Sequence, residues 1–460
     1  MKVLFSVPIM PYISDAPTII QDLGLGYLVT AVRKDGHEAL MKDWNMPPSV
    51  EDYVEYLKKE KPQVVGLKVF TKDVGAAAKT IHIIKSVDPS IIVIVGGPHP
   101  STVSPEELFE DLVGADFAFR GEAEVGLPIF LKYQSSPPEV NSQKILRDVP
   151  GLVWRQDGSV IANDVKFVDV NQFELPSWDL LKPSDYPALM GLNNLHSGNS
   201  APFITSRGCP GRCSFCSVKM INGQKVRRRS LKSVMDELSF LYHEQNVRFL
   251  MIMDNGFLVD EDYVQDMCES IIDKGLKFKW DCVFIDTGKA LKQKTMRLMK
   301  KAGCVMVNLG VETASDRMRR LTRKNNKIGT VREIVSLLKK NDIDVFGFFM
   351  MGFPTETRIE IQESIRLARE LDFKMVSFTI CYPIPGTEVY KYVLQTYNIR
   401  KIDWTSFKIH SSPYPLSELT SQNLSRLSRR TNLEFAIRKN PKYLYKKSIE
   451  LIKKRFFVKR

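Results

Sequence analysis

The first 208 residues of this 460-residue chain contain no cysteine, and the remainder holds seven. That distribution excludes a disulfide-stapled scaffold, which needs pairable thiols throughout a small fold. No apolar run approaches the roughly 18 residues of a membrane span, and the N-terminus lacks the charged-then-apolar order of a signal peptide. A cytoplasmic protein is therefore expected, in which clustered thiols stay reduced and serve as metal ligands more often than as disulfides. Low-complexity tracts are also missing. With 43% hydrophobic residues, the chain has apolar material for two or three domains.

Acid is scarce at the C-terminal end. From Arg426 to Arg460, 13 Lys and Arg residues face only Glu434 and Glu450, so most of the net charge of +13 belongs to the tail. Tyr445, Ile449, Ile452 and Phe456 recur at helical spacing, with Lys446, Lys447, Lys453 and Lys454 elsewhere around the helix. The leading expectation is a terminal helix packed on the main domain. Contact with an anionic membrane surface or a lipid substrate is the alternative, which would make the protein peripheral to the membrane. Nucleic acid is not expected as a partner.

What is present alternates. "MKVLFSVPI", "VVGLKVF" and "IIVIVGG" read as buried strands, separated by the helical stretches "LGYLVTAVRKDGHE" and "VGAAAKTIHIIKSV". This predicts an α/β fold whose N-terminal part, residues 1–138, is a doubly wound, Rossmann-like domain with ligands at the carboxyl ends of its strands. Residues 139–198 read as a linker with a small hairpin at Asp157-Gly158. From 199 to 390, six strand candidates run from "APFITS" to "MVSFTICY". They are too few for an eight-fold barrel and predict an open, partial (β/α)6 barrel. Residues 391–460 are expected to form a basic, helical C-terminal region.

Cys209, Cys213 and Cys216 stand in "CPGRCSFC", spaced C-x3-C-x2-C. Structural zinc takes four ligands, and Cys268, Cys282, Cys304 and Cys381 are scattered on predicted helices and strands, so zinc is disfavoured. A 4Fe-4S cluster fits three thiolates, because the fourth iron is then open to a substrate. Gly208 and Gly211 let the chain wrap closely round such a cluster.

With this motif and with "IMDNGF", "GVET", "FMMGFPTET" and "YPIPGT", nearly the whole chain resembles the radical S-adenosylmethionine (SAM) enzymes, and within them the cobalamin-dependent group. The resemblance implies that the open iron chelates SAM and that an electron from the cluster cleaves it to a 5'-deoxyadenosyl radical. It places Asp254 and Asn255 against the methionine part of SAM and Glu312 at its amino or ribose groups. "LGLGYLVTAVRKDGHE", "VVGLKVFT", "VGGPHPST" and "DFAFRGEAE" are similar to the cobalamin-binding domain of that group. Gly96, Gly97 and His99 would then lie in the loop that meets the cofactor.

Two departures stand out. The D-x-H-x-x-G motif that supplies histidine to cobalt elsewhere is missing, and Lys68 occupies a position where a small hydroxyl residue is common. The resemblance implies an enzyme, most plausibly a methylase of an unactivated carbon or phosphorus, fed electrons by a flavodoxin or ferredoxin type donor and acting on a small-molecule or lipid substrate. A cyclase or oxidoreductase that uses cobalamin without net methyl transfer is the alternative, and a non-catalytic iron-sulfur or cobalamin sensor lies further off. A transfer-RNA methylthiolase is disfavoured, because it would need a second cysteine set in the N-terminal domain.

Overall fold

In the computed structural model, which describes residues 1–9, 20–42, 49–136, 143–186, 198–285, 291–324, 327–405 and 413–439, the apolar runs become two largely parallel sheets. The first comprises β1 (Lys2–Ser6), β2 (Glu38–Lys42), β3 (Val64–Lys68), β4 (Ile92–Gly96), β5 (Phe117–Phe119), β6 (Leu152–Gln156) and β7 (Ser159–Ala162). Its order is β2-β1-β3-β4-β5-β6-β7, parallel through β5. The order reverses between β1 and β3, which opens a crevice at the carboxyl ends of those strands.

Two strands escaped the sequence reading. Glu38–Lys42 is an edge strand with only Ala39 fully buried, so it lacks the continuous apolar run of its neighbours. Phe117–Phe119 is three residues long. The hairpin at Asp157-Gly158 is present, but it is not a free linker element: β6 pairs antiparallel with β5 and extends the first sheet. It covers an edge that would otherwise expose unpaired backbone groups.

The second sheet is built from β8 (Asn199–Phe203), β11 (Val247–Ile252), β12 (Lys279–Phe284), β13 (Cys304–Glu312), β14 (Asp344–Met351) and β15 (Met375–Ile380), in that order and all parallel. A two-residue ribbon, β9 (Ser206–Arg207) with β10 (Arg227–Arg228), follows β8. This is the expected open six-strand barrel. Its outer face packs on the helices through residues such as Trp280, Cys282, Val307 and Val345.

The helix Ser421–Lys439 closes the β15 edge. The Asn432 side-chain carbonyl accepts from the Phe378 N–H at 2.7 Å, and its amide donates to the Phe378 carbonyl at 3.0 Å. One side chain thus takes both roles of a missing strand neighbour. Before it, Arg400 and Lys401 pair with Glu110 and Asp111, fastening the segment after the barrel to the first domain. The apolar stripe from Tyr445 to Phe456 lies outside the described residues. Among the described residues, no helix is long and apolar enough to cross a membrane.

Candidate active site

The three cysteines sit on the loop between β9 and the short helix Val218–Asn222. Gly208, which starts that loop, has φ 98°, and a Cβ there would lie 2.1 Å from the Lys225 carbonyl oxygen. Only glycine fits the turn. The Gly211 N–H donates to Cys209 Sγ at 3.4 Å, and a Cβ on Gly211 would stand 3.2 Å from that sulfur. The loop is clasped from two sides: Ser214 N–H donates to the Thr322 carbonyl, and the Ser214 carbonyl accepts from Glu388 N–H. Phe215 packs on Phe353 of the "GFPTET" turn, their ring centres 5.5 Å apart.

Burial pushes all three thiols up from their ordinary values, and the Lys324 ammonium draws each back toward the thiolate. The three also feel one another electrostatically. Among the described residues, no three His, Cys, Asp or Glu side chains converge on a single ion. Thiolates that each hold a different iron of a cuboidal cluster stand further apart than ligands to one ion. The glycine cradle and the three coupled thiols fit a 4Fe-4S cluster.

Beside them, Glu312 ends β13 with φ 67°, a left-handed conformation that is uncommon for a side-chain-bearing residue. The register of β13 against β14 shifts between Gly310 and Glu312. The bulge turns the carboxylate toward Lys324, 3.5 Å away. A Cβ on Gly310 would lie 2.7 Å from the Glu312 carboxylate, so glycine leaves the room it occupies. Backbone strain held at a strand end beside three cysteines is typical of a site that fixes a ligand-facing group. Lys324 was not foreseen: "LTRKNNK" gives no periodic signal, and only the fold folds it under the cluster loop.

Asp254 differs from its expected role. Its carboxylate is buried and accepts from Thr205 N–H at 2.7 Å, Thr205 Oγ1 at 2.6 Å and Ser206 Oγ at 2.5 Å. Burial pushes its carboxyl up, and these donors partly reverse that. Asp254 therefore anchors the strand end leading into the cysteine loop, and its oxygens are taken up there. Asn255 beside it does line an open cavity.

That cavity, about 600 Å³, lies at the strand-order reversal of the first sheet and is walled on its other side by the barrel. Lys68, Gly96 and Gly97 line it, together with Pro202, Met253 and Asn255 from the barrel side. Gly97 has φ 96°, and a Cβ would meet Lys68 Cγ at 3.0 Å. Lys68 Nζ reaches the Asp22 carboxylate at 2.8 Å, which also caps the helix Leu23–Lys34 by accepting from Leu25 N–H. His99 is corrected: it is fully buried outside the lining, edge-on to Trp404 and 3.4 Å from both Thr71 Oγ1 and Asp111 Oδ2. No histidine is among the described residues that line the cavity.

The cavity and the cysteine loop share a wall of buried charge. Arg207, one residue before Gly208, meets Glu124 at 2.7 Å, with its guanidinium between the rings of Tyr27 and Phe173. Arg227 forks onto both oxygens of Glu122. The two acids lie in "RGEAE" of the first domain, so this network joins the two halves.

Residues 203–368 match the Radical SAM superfamily, and residues 10–131 match the B12 binding domain. An uncharacterized methyltransferase of Pyrococcus horikoshii, PH0819, is 28% identical over 433 residues, covering 93% of this chain and 90% of that protein. The anaerobic magnesium-protoporphyrin IX monomethyl ester cyclase of Rubrivivax gelatinosus is 27% identical, over 74% of this chain but only 60% of its own length. Among solved structures, the cobalamin-dependent S-adenosylmethionine radical enzyme OxsB superposes with a TM-score of 0.72 at 18% identity, over 93% of this chain and 66% of OxsB. These matches fall on the halves that the fold separates and the cavity joins: the chain is a radical SAM enzyme with an N-terminal B12-binding domain.

Proposed function

We propose that this protein methylates an unactivated carbon or phosphorus centre, using a 4Fe-4S cluster on Cys209, Cys213 and Cys216, SAM, and cobalamin in the cavity at Gly96 and Gly97. The observation that carries the reading is the common wall: Arg207 belongs both to the cavity lining and to the strand that delivers Cys209. When bound, the cluster supplies the electron that cleaves SAM, and cobalamin supplies a carrier for the methyl group.

The chain's own residues do the rest. Cys209, Cys213 and Cys216 would supply three thiolates to the cluster, and the chain offers no fourth beside them among the described residues. Gly211 N–H bonds the Cys209 sulfur, which stabilises its negative charge. Glu312 accepts from the amino or ribose groups of SAM, and Lys324 keeps that carboxylate turned inward. Asn255 meets the methionine part, while Asp254 holds the backbone that positions it. Lys68, tied to Asp22, and Gly97 would form part of the wall that holds cobalamin, and no histidine is among the described residues lining it. Electrons come from a flavodoxin or ferredoxin type donor.

The relative from Rubrivivax favours a second reading, cobalamin-assisted cyclisation or oxidation without net methyl transfer. Anaerobic reconstitution with iron, sulfide and cobalamin tests the first step common to both. The wild-type protein should release 5'-deoxyadenosine from SAM, and each cysteine-to-alanine variant should not. Cleavage undiminished in Cys213→Ala would remove the assignment.

A further inference from the structure

Strand alternation sends Trp280, Cys282 and Phe284 of β12 into the core beneath the helices, so Asp281 and Val283 face the concave side of the half-barrel. On β13 and β14 the same alternation turns Met306, Asn308, Phe346 and Phe348 inward. Met251 and Met306, which are buried, and Val283, Phe346 and Phe348, which are part-buried, lie outside the three apolar clusters that pack beneath the helices and within the first domain. The register sets them in two rows across the sheet: Met251, Asp281 and Met306 in one, Val283, Asn308 and Phe346 in the next. The Phe346 and Phe348 rings stack at 4.3 Å.

Into this apolar wall projects one carboxyl. Asp281 is 8% exposed, and the Asn308 side chain of the neighbouring strand is near enough to favour its carboxylate. From Asp281 up to the level of Glu312, the described inward positions of β12, β13, β14 and β15 carry no Lys or Arg. Lys324 stands at the Gly310–Glu312 end of this face and is already paired with Glu312, so an anionic group beside Asp281 would meet a carboxyl instead, at a desolvation cost. A hydroxyl or amino group would find an acceptor.

Resting on the function proposed above, we propose that this inner face is the substrate pocket. Its substrate is a largely apolar molecule bearing one hydroxyl or amino group, which Asp281 and Asn308 receive. Burial also pushes the Asp281 carboxyl up to about 6, in keeping with a dry site. Asn308 lies four residues before Glu312 on β13, about 13 Å at a strand rise of roughly 3.3 Å. A molecule anchored there must span that length to reach the cysteine end, as a fused ring system or a hydrocarbon chain does.

Equilibrium dialysis of the full chain, loaded with cluster and cobalamin, against 2-naphthol, naphthalene and 2-naphthoate tests this. The naphthol should bind about ten-fold more tightly than the naphthoate, the worth of one buried hydrogen bond or unpaired charge. Asp281→Leu should erase the advantage of naphthol over naphthalene, Asp281→Asn should keep it, and Phe346→Glu should weaken all three. Naphthoate binding as tightly as naphthol overturns the proposal, as does an Asp281→Leu protein with intact cluster absorption that still prefers naphthol. If Asp281→Leu does not fold, unchanged affinities in Phe346→Glu overturn it. Dialysis does not depend on SAM cleavage, so wild-type protein that binds naphthol selectively but cleaves no SAM supports this pocket while counting against the catalytic reading.

Discussion

The Arg207 guanidinium lies 2.7 Å from the Glu124 carboxylate, and both groups are buried. Arg207 precedes Cys209 by two residues, whereas Glu124 belongs to the cavity wall of the first domain. The pair therefore fixes the cysteine loop relative to the cavity.

Removing one partner leaves the other charged and buried. Arg207→Met should cost about 3–5 kcal/mol of stability, the usual price of an orphaned buried charge. Arg207→Lys should cost less but still lose the stacking on Tyr27 and Phe173. Urea denaturation checks both; a loss under 1 kcal/mol in Arg207→Met would mean that water reaches the network.

Asp254 accepts three hydrogen bonds from Thr205 and Ser206. Asp254→Asn has one acceptor oxygen where two were used, and places an amide donor against donors. We expect a loss of about 1–3 kcal/mol together with lower cluster occupancy per chain, measured by iron and sulfide analysis. Full occupancy and wild-type stability would return Asp254 to a ligand-facing role.

Glu356 is buried, with one oxygen accepting from the Gly352 and Phe353 N–H groups. Burial pushes its carboxyl up to about 8. Its folded value therefore lies above its unfolded one, so its contribution is fully present below about pH 4.5 and is lost as pH rises through about 8. The fall is about 1.4 kcal/mol per pH unit across that window. Glu356→Gln should lack this slope, so it should gain stability relative to wild type between pH 6 and pH 8. Parallel pH–stability curves for the two proteins would contradict the shift.

Cobalamin bound to the purified protein should give a base-off spectrum without an imidazole on cobalt. His99→Ala should leave the type of spectrum unchanged, because His99 packs against Trp404 outside the cavity. Nitrogen hyperfine coupling from a protein imidazole in the cob(II)alamin spectrum would refute this.

Much of the site was legible in the sequence. Cys209, Cys213 and Cys216 declare themselves by spacing, and the alternation from "APFITS" to "MVSFTICY" gave all six barrel strands in order. Three kinds of feature were not legible. Short or polar edge strands such as Glu38–Lys42 carry no continuous apolar run. The roles expected of Asp254 and His99 come from the resemblance, but burial decides their partners, and neither Thr205 nor Trp404 is near its partner in sequence. The pairings of Lys324 with Glu312 and of Arg207 with Glu124 join segments 12 and 83 residues apart, across a strand bulge in one case and a domain boundary in the other.

The most direct measurement follows the methyl group. Protein reconstituted without oxygen is incubated with SAM deuterated at its methyl group, a reductant and candidate extracts, and the products are weighed by mass spectrometry. We expect both S-adenosylhomocysteine and 5'-deoxyadenosine, with three deuterium atoms appearing on a new product and lost when cobalamin is omitted. Release of 5'-deoxyadenosine alone, with no deuterium leaving SAM under any of these conditions, would contradict methyl transfer.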